Sequence, residues 1–183
     1  MKFMPQSISD VILIEPTVHG DERGYFMESF KQDVFENALG YKVNFIQDNE
    51  SKSTKGVLRG LHYQLPPYAQ AKLVRVVKGS VLDVAVDIRQ NSNTFGQYVS
   101  LVLSEENKKQ LFVPRGFAHG FIVLSKEAIF SYKVDNKYTP QHEHTILWND
   151  IDLDIDWHLD DIVPSLSDKD KNGVSFKNAE YYN

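Results

Sequence analysis

An imidazole and a guanidinium stand three residues apart in a run that otherwise has the pattern of a buried strand. The run covers residues 56–64 and holds Arg59 and His62, with a further cation at Lys72. A strand that serves only packing alternates apolar and polar residues, whereas this one carries a group that titrates near neutral pH. Acid–base chemistry therefore starts here, unless His62 is a core histidine satisfied by a backbone carbonyl.

A second histidine stands between two glycines at the start of an apolar run in the latter half of the chain. Its spacing, Pro114-x-Gly116-x-x-His119, resembles the second motif of the cupins. Cupins that hold a metal carry two histidines two residues apart, plus a glutamate, in their first motif. Here His62 is followed by Gln64 where the second ligand would stand, so the metal-ligand set is incomplete.

Another pair of histidines flanks Glu143. His142 and His144 would share one face of a strand, as a ligand pair does, but no third ligand stands near them in the sequence. We therefore interpret this segment as a solvated or substrate-facing strand, and we expect no bound metal.

Length and composition predict a single domain over residues 1–183, because 42% hydrophobic residues suffice for a substantial core. A net charge of −5 argues against a general binder of nucleic acid or anionic membranes, but it allows a local basic pocket for a diphosphate. The absence of cysteine excludes disulfides and thiol catalysis. The first residues lack a signal-peptide apolar region and no run reaches membrane-spanning length, so we expect a cytoplasmic location.

Short runs rich in β-branched and aromatic residues recur between Gly, Pro, Asn and Ser turns, which is typical of a sandwich or barrel. These runs are residues 11–14, 57–63, 73–77, 81–88, 98–103, 121–124 and 129–134. No internal repeat or linker-like change of composition divides them. We predict an all-β fold, an antiparallel jelly-roll β-sandwich of the cupin type with a few short peripheral helices.

Two further segments have their own pattern. Residues 32–39 predict a short helix that stops at Gly40. Its inner side would consist of Val34, Phe35, Ala38 and Leu39. Residues 150–161 alternate acids with apolar side chains, which predicts a half-buried segment rather than a disordered one.

The alternation of side chains along a strand creates a difficulty for residues 56–64. Arg59 and His62 have opposite parity, so in a regular strand their side chains would leave opposite faces of the sheet. Either Gly60 lies in a bulge that resets the parity, or the two side chains serve different pockets. The sequence leaves both explanations open.

A series of short motifs runs in order along nearly the whole chain. They are residues 21–30, 47–51, 56–64, 72–76, 83–89, 92–96, 114–121, 132–133, 138–140, 148–150 and 166–170. Together they resemble one enzyme family, the dTDP-4-dehydrorhamnose 3,5-epimerases, which make the nucleotide-sugar precursor of L-rhamnose. The resemblance implies that the substrate is a dTDP-linked 4-keto-6-deoxy sugar, dTDP-4-dehydro-6-deoxy-D-glucose. Its 4-keto group already acidifies the protons on C3 and C5, so inversion needs a base, an acid and an enolate stabiliser but no cofactor.

The resemblance assigns these roles to particular residues. His62 is the base and Tyr132 the acid, while Lys72 stabilises negative charge on the 4-oxygen. Asp170 holds the second ring nitrogen of His62 and so fixes its tautomer. Asp168, two residues away, is the alternative to Asp170, and we favour Asp170. Without the resemblance, Tyr132 would be interpreted as a packing residue and the Asp170 segment as a solvated charged turn.

The resemblance also implies a substrate-binding set and a dimer. The set is Arg23, Glu28, Gln47, Asp48, Asn49, Arg59, Lys72, His119, Tyr138, Glu143 and Lys169. In it the arginines suit pyrophosphate oxygens and Tyr138 stacks on thymine. The family pattern favours a homodimer in which N-terminal strands exchange, so that residues near Arg23 and Glu28 enter the partner's site.

Two other functions remain open at this level. One is a related cupin sugar enzyme, such as a mono-epimerase or a ketoisomerase. Tyr132 discriminates here, because inversion needs an acid on the opposite face. The other is a binding module that has lost its chemistry, against which the intact His62, Lys72 and Asp170 argue.

Overall fold

Two antiparallel sheets pack face to face and enclose one of the three apolar core clusters of the chain. The computed structural model describes residues 1–183. The six-stranded sheet has the spatial order β1 (Lys2–Pro5), β2 (Ile12–Glu15), β10 (Gln110–Val113), β7 (Lys72–Lys78), β12 (Glu127–Val134) and β5 (Gln47–Thr54). The five-stranded sheet has the order β13 (Glu143–Thr145), β6 (Leu58–Gln64), β11 (Phe117–Val123), β8 (Ser80–Asp87) and β9 (Tyr98–Ser104). The predicted cupin-like β-sandwich is confirmed.

The remaining elements are small and peripheral. A separate hairpin consists of β3 (Val18–Asp21) and β4 (Gly24–Met27), and it pairs with neither sheet. The helices are α1 (Gln32–Leu39), α2 (Asp168–Lys171) and two 3₁₀ turns, Pro140–His142 and Phe176–Asn178. No helix is long and apolar enough to cross a membrane.

Alternation along the strands divides the core into an inner and an outer layer. On β8, Val81 and Ala85 pack between the sheets, whereas Leu82 and Val84 face outward. The outward residues are covered by the C-terminal segment, which contributes Trp157 among others. Because both faces of β8 are apolar, this strand has a continuous hydrophobic run rather than an alternating one.

All seven strands predicted from sequence are present, with shifted ends, and α1 matches its predicted bounds. Gly40 ends the helix in the left-handed region at φ 78°. Phe35 is its only buried residue, whereas Ala38 is exposed, so the prediction for Ala38 was wrong.

The acidic segment 150–161 is half-buried, as predicted, and its burial alternates from residue 152 to residue 160. It forms turns rather than a strand. Leu153 and Trp157 are buried, while Ile151 is 89% exposed. Ile155 and Leu159 are partly buried against the same cluster as Leu153 and Trp157, so Ile151 is the apolar residue that departs from the alternation.

Candidate active site

A bulge in β6 resolves the parity difficulty. On β11, His119 pairs with His62 and Phe121 pairs with Arg59, so three steps on β6 match two on β11. As a result Leu58 and Leu61, of opposite parity, both pack into the outer core layer. Arg59 and His62 accordingly line the same cavity on the inner side.

Two glycines make this bulge compatible with close strand packing. Gly60 lies at φ 129°, a region that side chains rarely adopt. A Cβ there would lie 2.5 Å from the Cα of Gly120 on β11. Conversely, a Cβ on Gly120 would lie 2.8 Å from the carbonyl oxygen of Arg59. The backbones thus touch directly beneath the cavity.

The cavity has a volume of about 320 Å³ and lies between the two sheets. Its walls contain Gln47, Asn49, Ser51, Arg59, His62, Gln70, Lys72, His119, Gly120, Phe121, Phe130, Tyr132, Tyr138, Glu143 and Lys169. Most of these side chains are polar or charged, although they interrupt the core of a sandwich. Such a polar, concave interruption is typical of a binding or catalytic site.

One wall is built by alternation across three strands of the six-stranded sheet. Tyr132 on β12 pairs with Asn49 on β5 and with Val74 on β7. Cross-strand partners share a face, so Asn49 and Tyr132 point to the cavity together. Gln47 on β5 and Lys72 on β7 both pair with Val134, two residues further along β12, and join the same wall.

His62 projects from the opposite wall and is backed by a carboxylate. Its Nε2 lies 2.8 Å from Oδ1 of Asp170, a side chain that is only 2% exposed as a residue. The geometry of a hydrogen bond from an N–H on Nε2 is not met at this distance, so the neutral ring and the carboxylate are in close polar contact. Asp168, in contrast, is exposed and lies near Lys171.

Asp170 is itself held in place by the start of α2 and by the bulge. Its carboxylate accepts hydrogen bonds from the Ser167 hydroxyl (2.5 Å) and from the Gly60 amide (3.0 Å). Burial alone would raise the pKa of Asp170, but the interactions with His62, Ser167 and Gly60 outweigh it and hold the pKa well below its usual range. Asp170 is therefore an anion at every physiological pH.

His62 is neutral and available as a base. Burial lowers its pKa below the ordinary 6.5, and the nearby cations Lys169 and Lys72 lower it further, against the raising effect of Asp170. A neutral imidazole with a carboxylate behind it can take a proton and is stabilised once it is charged.

Tyr132 keeps its proton. Burial raises the pKa of its phenol and Glu143 raises it further, against the opposing effect of Arg59. No hydrogen bond within the chain engages its hydroxyl group. The site therefore has a proton donor on the wall opposite His62.

Lys72 supplies a cation whose charge is sensitive to pH. Burial lowers its pKa to about 8, against the raising effects of Glu143 and Asp83. The side chain is partly buried and lines the cavity. No hydrogen bond or ion pair within the chain engages the ammonium group, which is thus available to an anion in the cavity.

His119 also lies against a carboxylate, which the sequence analysis did not identify. Its Nε2 is 3.0 Å from both oxygens of Asp83, whose exposure is 0%. The signal was present in the sequence, because an acid inside the apolar run of β8 must have a buried partner. Asp83 therefore belongs to the site as a support for His119.

The rim of the cavity carries an interlinked trio. Glu143 accepts a hydrogen bond from the Tyr138 hydroxyl (2.9 Å) and one from the Lys169 ammonium (3.0 Å). Burial raises the pKa of Glu143, but these two donors outweigh it and the pKa lies below its usual value. Arg59 donates to Ser53 (3.1 Å) and keeps an exposed end at the cavity.

Three residues of the predicted set do not line this chain's cavity. Asp48 points to the other face of β5, where it pairs with Lys133 at 2.8 Å. Strand parity explains this difference, because Asp48 lies between Gln47 and Asn49. Arg23 is exposed and pairs with Asp21 on the separate hairpin, and Glu28 is exposed just after it.

The two histidines of the other motif pack on tyrosine rings. His144 stacks on Tyr63 at 5.2 Å and His142 packs on Tyr68 at 4.4 Å. Glu143, between them, enters the cavity instead. No cluster of three or more His, Cys, Asp or Glu side chains has the geometry of a metal site.

Sequence reasoning missed several cavity residues. Ser51, Gln70, Phe121 and Phe130 line the cavity but were not in the predicted set. Phe121 and Phe130 stack at 4.2 Å and form its apolar floor. Ser51 could have been found from its parity with Gln47 and Asn49, whereas Gln70 lies on a loop and has no such signal.

Comparisons with known proteins identify the family of the chain. The family profile of dTDP-4-dehydrorhamnose 3,5-epimerase matches residues 5–178. The dTDP-4-dehydrorhamnose 3,5-epimerase of Shigella flexneri is 60% identical over 182 residues, 100% of this chain and 99% of that relative. The crystal structure of the Elizabethkingia anophelis NUHP1 enzyme of that name has a TM-score of 0.95 at 51% identity, covering 99% of both chains.

A liganded structure is similar as well. The dTDP-6-deoxy-D-glucose-3,5-epimerase of Legionella pneumophila Philadelphia 1, solved in complex with dTDP-4-keto-L-rhamnose, has a TM-score of 0.93 at 47% identity. The alignment covers 98% of this chain and 94% of that one.

Proposed function

The chain belongs to the dTDP-4-dehydrorhamnose 3,5-epimerase family, and on this premise we propose that His62 and Tyr132 exchange protons with the sugar from opposite walls of the cavity. Its activity is that of the family, the epimerisation of a dTDP-linked 4-keto-6-deoxy sugar at C3 and C5. The observation that carries the proposed mechanism is the placement of a neutral imidazole and a protonated phenol on facing sheets.

Each inversion removes one proton from a carbon and adds one to the opposite face of that carbon. His62 takes the proton from C3 or C5, and the electron pair of that C–H bond moves through the carbon skeleton onto the 4-oxygen. The Lys72 ammonium stabilises the resulting enolate oxygen. The electron pair on the 4-oxygen then re-forms the carbonyl group, and the electron pair of the carbon–carbon double bond takes the proton of Tyr132 on the opposite face of the same carbon, which inverts the centre. Solvent removes the proton from His62 and restores the one on Tyr132 before the second inversion.

We propose that the rim holds the nucleotide. Arg59 and Lys169 offer cations for the diphosphate, and Tyr138 offers an exposed ring for the base. Gln47, Asn49 and His119 add hydrogen-bonding groups along the walls. The apolar floor formed by Phe121 and Phe130 suits the 6-methyl group of a deoxy sugar.

The test uses dTDP-4-keto-6-deoxyglucose in deuterated water, followed by NMR. We expect deuterium at both C3 and C5 with inversion at both centres. Deuterium and inversion at one carbon only would make the chain a mono-epimerase. Exchange without any inversion would contradict the two-wall mechanism.

We also propose a homodimer in which the β3–β4 hairpin enters the partner's site. The hairpin exposes Tyr25 (58%) and Phe26 (66%) and pairs with neither sheet, which supports an intermolecular role. Arg23 and Glu28 lie on or next to this hairpin, outside their own chain's cavity. Domain exchange would bring them to a second copy.

A mixing experiment tests this exchange. Arg23→Ala and His62→Asn should each be inactive as homodimers. After subunits are mixed and exchanged, each heterodimer has one intact site, so activity should recover to about a quarter of wild type. No recovery, with exchange verified by light scattering and mass labels, would contradict the shared site.

We propose that residues 1–183 form one domain. We also propose that the enzyme acts in the cytoplasm, because the membrane keeps a charged nucleotide sugar inside the cell. Cell fractionation with an activity assay tests the location.

A further inference from the structure

Gln64 occupies the position of a cupin metal ligand, yet its side chain does not line the cavity. It is 6% exposed and makes three hydrogen bonds. Its Oε1 accepts from the Thr139 amide at 2.7 Å. Its Nε2 donates to the carbonyl oxygens of Tyr68 (2.7 Å) and Lys137 (3.2 Å). Its side chain therefore joins two loops beside the rim, the loop between β6 and β7 and the loop that carries Tyr138.

These contacts enclose one residue of the rim. Lys137 and Thr139 are the neighbours of Tyr138, so a single amide holds the peptide groups on both sides of that aromatic residue. Tyr138 lies outside any helix or strand, its own backbone makes no hydrogen bond, and its ring is half exposed. Gln64 therefore fixes the backbone on both sides of Tyr138, whereas Glu143 holds the hydroxyl end of its ring.

A second set of amides joins the same two loops. Gln70 donates to the Asn136 carbonyl at 2.7 Å, and the Asn136 amide donates to the carbonyls of Pro67 and Ala69. The loop that leads into β7 and the loop that carries Tyr138 are therefore held as one unit.

We propose that Gln64 is a positioning residue that pre-organises Tyr138 for the nucleotide base. The proposal rests on the proposed role of Tyr138 at the rim. Glutamine suits this position because it accepts one hydrogen bond and donates two, whereas a glutamate cannot donate and a methionine can do neither. A segment ordered before binding spares the ligand the entropy of ordering it, so its effect is on affinity rather than on proton transfer.

The experiment measures dTDP binding by calorimetry and turnover by NMR for Gln64→Glu and Gln64→Met. We expect the Kd of dTDP and the KM to rise about tenfold in both variants, with kcat within about twofold of wild type. Gln141→Glu, an exposed position in the nearby 3₁₀ turn, is the control for added negative charge and should leave both constants unchanged.

A double-mutant cycle tests the route. In a Tyr138→Ala background, Gln64→Met should weaken dTDP binding no further, since the group it positions is already gone. Additive losses would overturn the proposal, as would a fall in kcat with KM unchanged, which would mean that Gln64 acts through His62 on the same strand.

If both variants fail to fold, amide hydrogen exchange on the wild-type protein tests the positioning role of Gln64. The Thr139 amide should exchange at least about tenfold more slowly than the unbonded Tyr138 amide. Equal rates would overturn the proposal. If the wild type turns over the sugar and Gln64→Met binds dTDP normally, only the positioning role of Gln64 is refuted. If the wild type fails to epimerise the sugar but Gln64→Met still loses affinity for dTDP, only the proposed catalysis is refuted.

Discussion

His62 and Tyr132 reach one cavity from strands of different sheets, β6 in the five-stranded sheet and β12 in the six-stranded sheet. In the proposed mechanism, a sugar ring bound between them would present one face to each. This relationship separates the base from the acid, so each can be removed without disturbing the other.

Replacement of His62 by asparagine should abolish both inversion and solvent exchange, because it removes the base. General-base removal costs on the order of 10²–10⁴ in rate. Binding of dTDP should persist. His144→Asn is the matched control, because that ring stacks on Tyr63 outside the cavity, and it should retain full activity. Near wild-type exchange in His62→Asn would place the base elsewhere.

Tyr132→Phe should uncouple exchange from inversion. Abstraction by His62 remains, but the opposite face has no proton source, so deuterium enters C3 or C5 with configuration largely retained. The quantity to measure by NMR is the ratio of inversion to exchange, because His62 can return the same proton before it exchanges. Tyr68→Phe, outside the cavity, is the control, and an undiminished ratio in Tyr132→Phe would make Tyr132 a packing residue.

The pH dependence of kcat/KM should be bell-shaped. His62 must be neutral, and its lowered pKa puts the acidic limb below pH 6.5. Lys72 must be charged, so activity falls as pH rises through about 8. Tyr132 cannot cause that limb, because its pKa is raised above the ordinary 10.0.

Lys72→Arg identifies the basic limb. Arginine stays protonated throughout the range, so the limb near pH 8 should disappear, even if the rate is lower. Lys72→Met should lose about 10²–10³ in kcat. A basic limb that stays near pH 8 in Lys72→Arg would assign it to another group.

Activity should survive exhaustive chelation, because the ketone supplies the activation of C3 and C5 and the first motif has Gln64 in place of a second histidine. The measurement is turnover before and after EDTA treatment and gel filtration. Loss of turnover that one divalent metal restores would contradict this expectation.

Asp87 should contribute acid-sensitive stability. It is fully buried and accepts hydrogen bonds from Arg89, Ser92 and Thr94. Burial raises its pKa, but these donors outweigh it and lower the pKa from 3.8 to about 2. The difference corresponds to about 2 kcal/mol, present above pH 3.8 and lost as pH falls toward 2.

Thermal melting against pH checks this expectation. Asp87→Asn should melt below wild type at neutral pH, and the gap should narrow in acid. Asp156→Asn, at an exposed position, should melt like wild type throughout. A gap of constant size would mean that the ionisation of Asp87 contributes nothing to stability.

Strand β5 shows what sequence alone could not predict. Its residues, Gln47–Thr54, are all polar, so no apolar periodicity identifies them as a strand. The reason is that one face of β5 lines the polar cavity while the other face meets solvent. Seven strands with apolar faces were predicted, because burial against the core determines their composition, whereas the short buried strand β10 was not.

The site itself was predictable in its residue types but not in its geometry. The family resemblance named His62, Tyr132, Lys72 and Asp170, and the structure brings all of them to or behind one cavity. The bulge at Gly60 could be stated only as an alternative, because backbone conformation follows from the contact with Gly120 across the sheet. The Asp83–His119 contact was missed, since it joins strands distant in the chain.

The contact between Gly60 and Gly120 makes the two walls of the cavity unequal for protein engineering. The wall that carries His62 admits no added atom beneath it and depends on a bulge, so substitutions there would displace the base. The opposite wall ends in β5, at the edge of its sheet within one chain, where Gln47, Asn49 and Ser51 can change without repacking a core. Altered substrate range should therefore evolve through β5, while the chemistry stays anchored on β6.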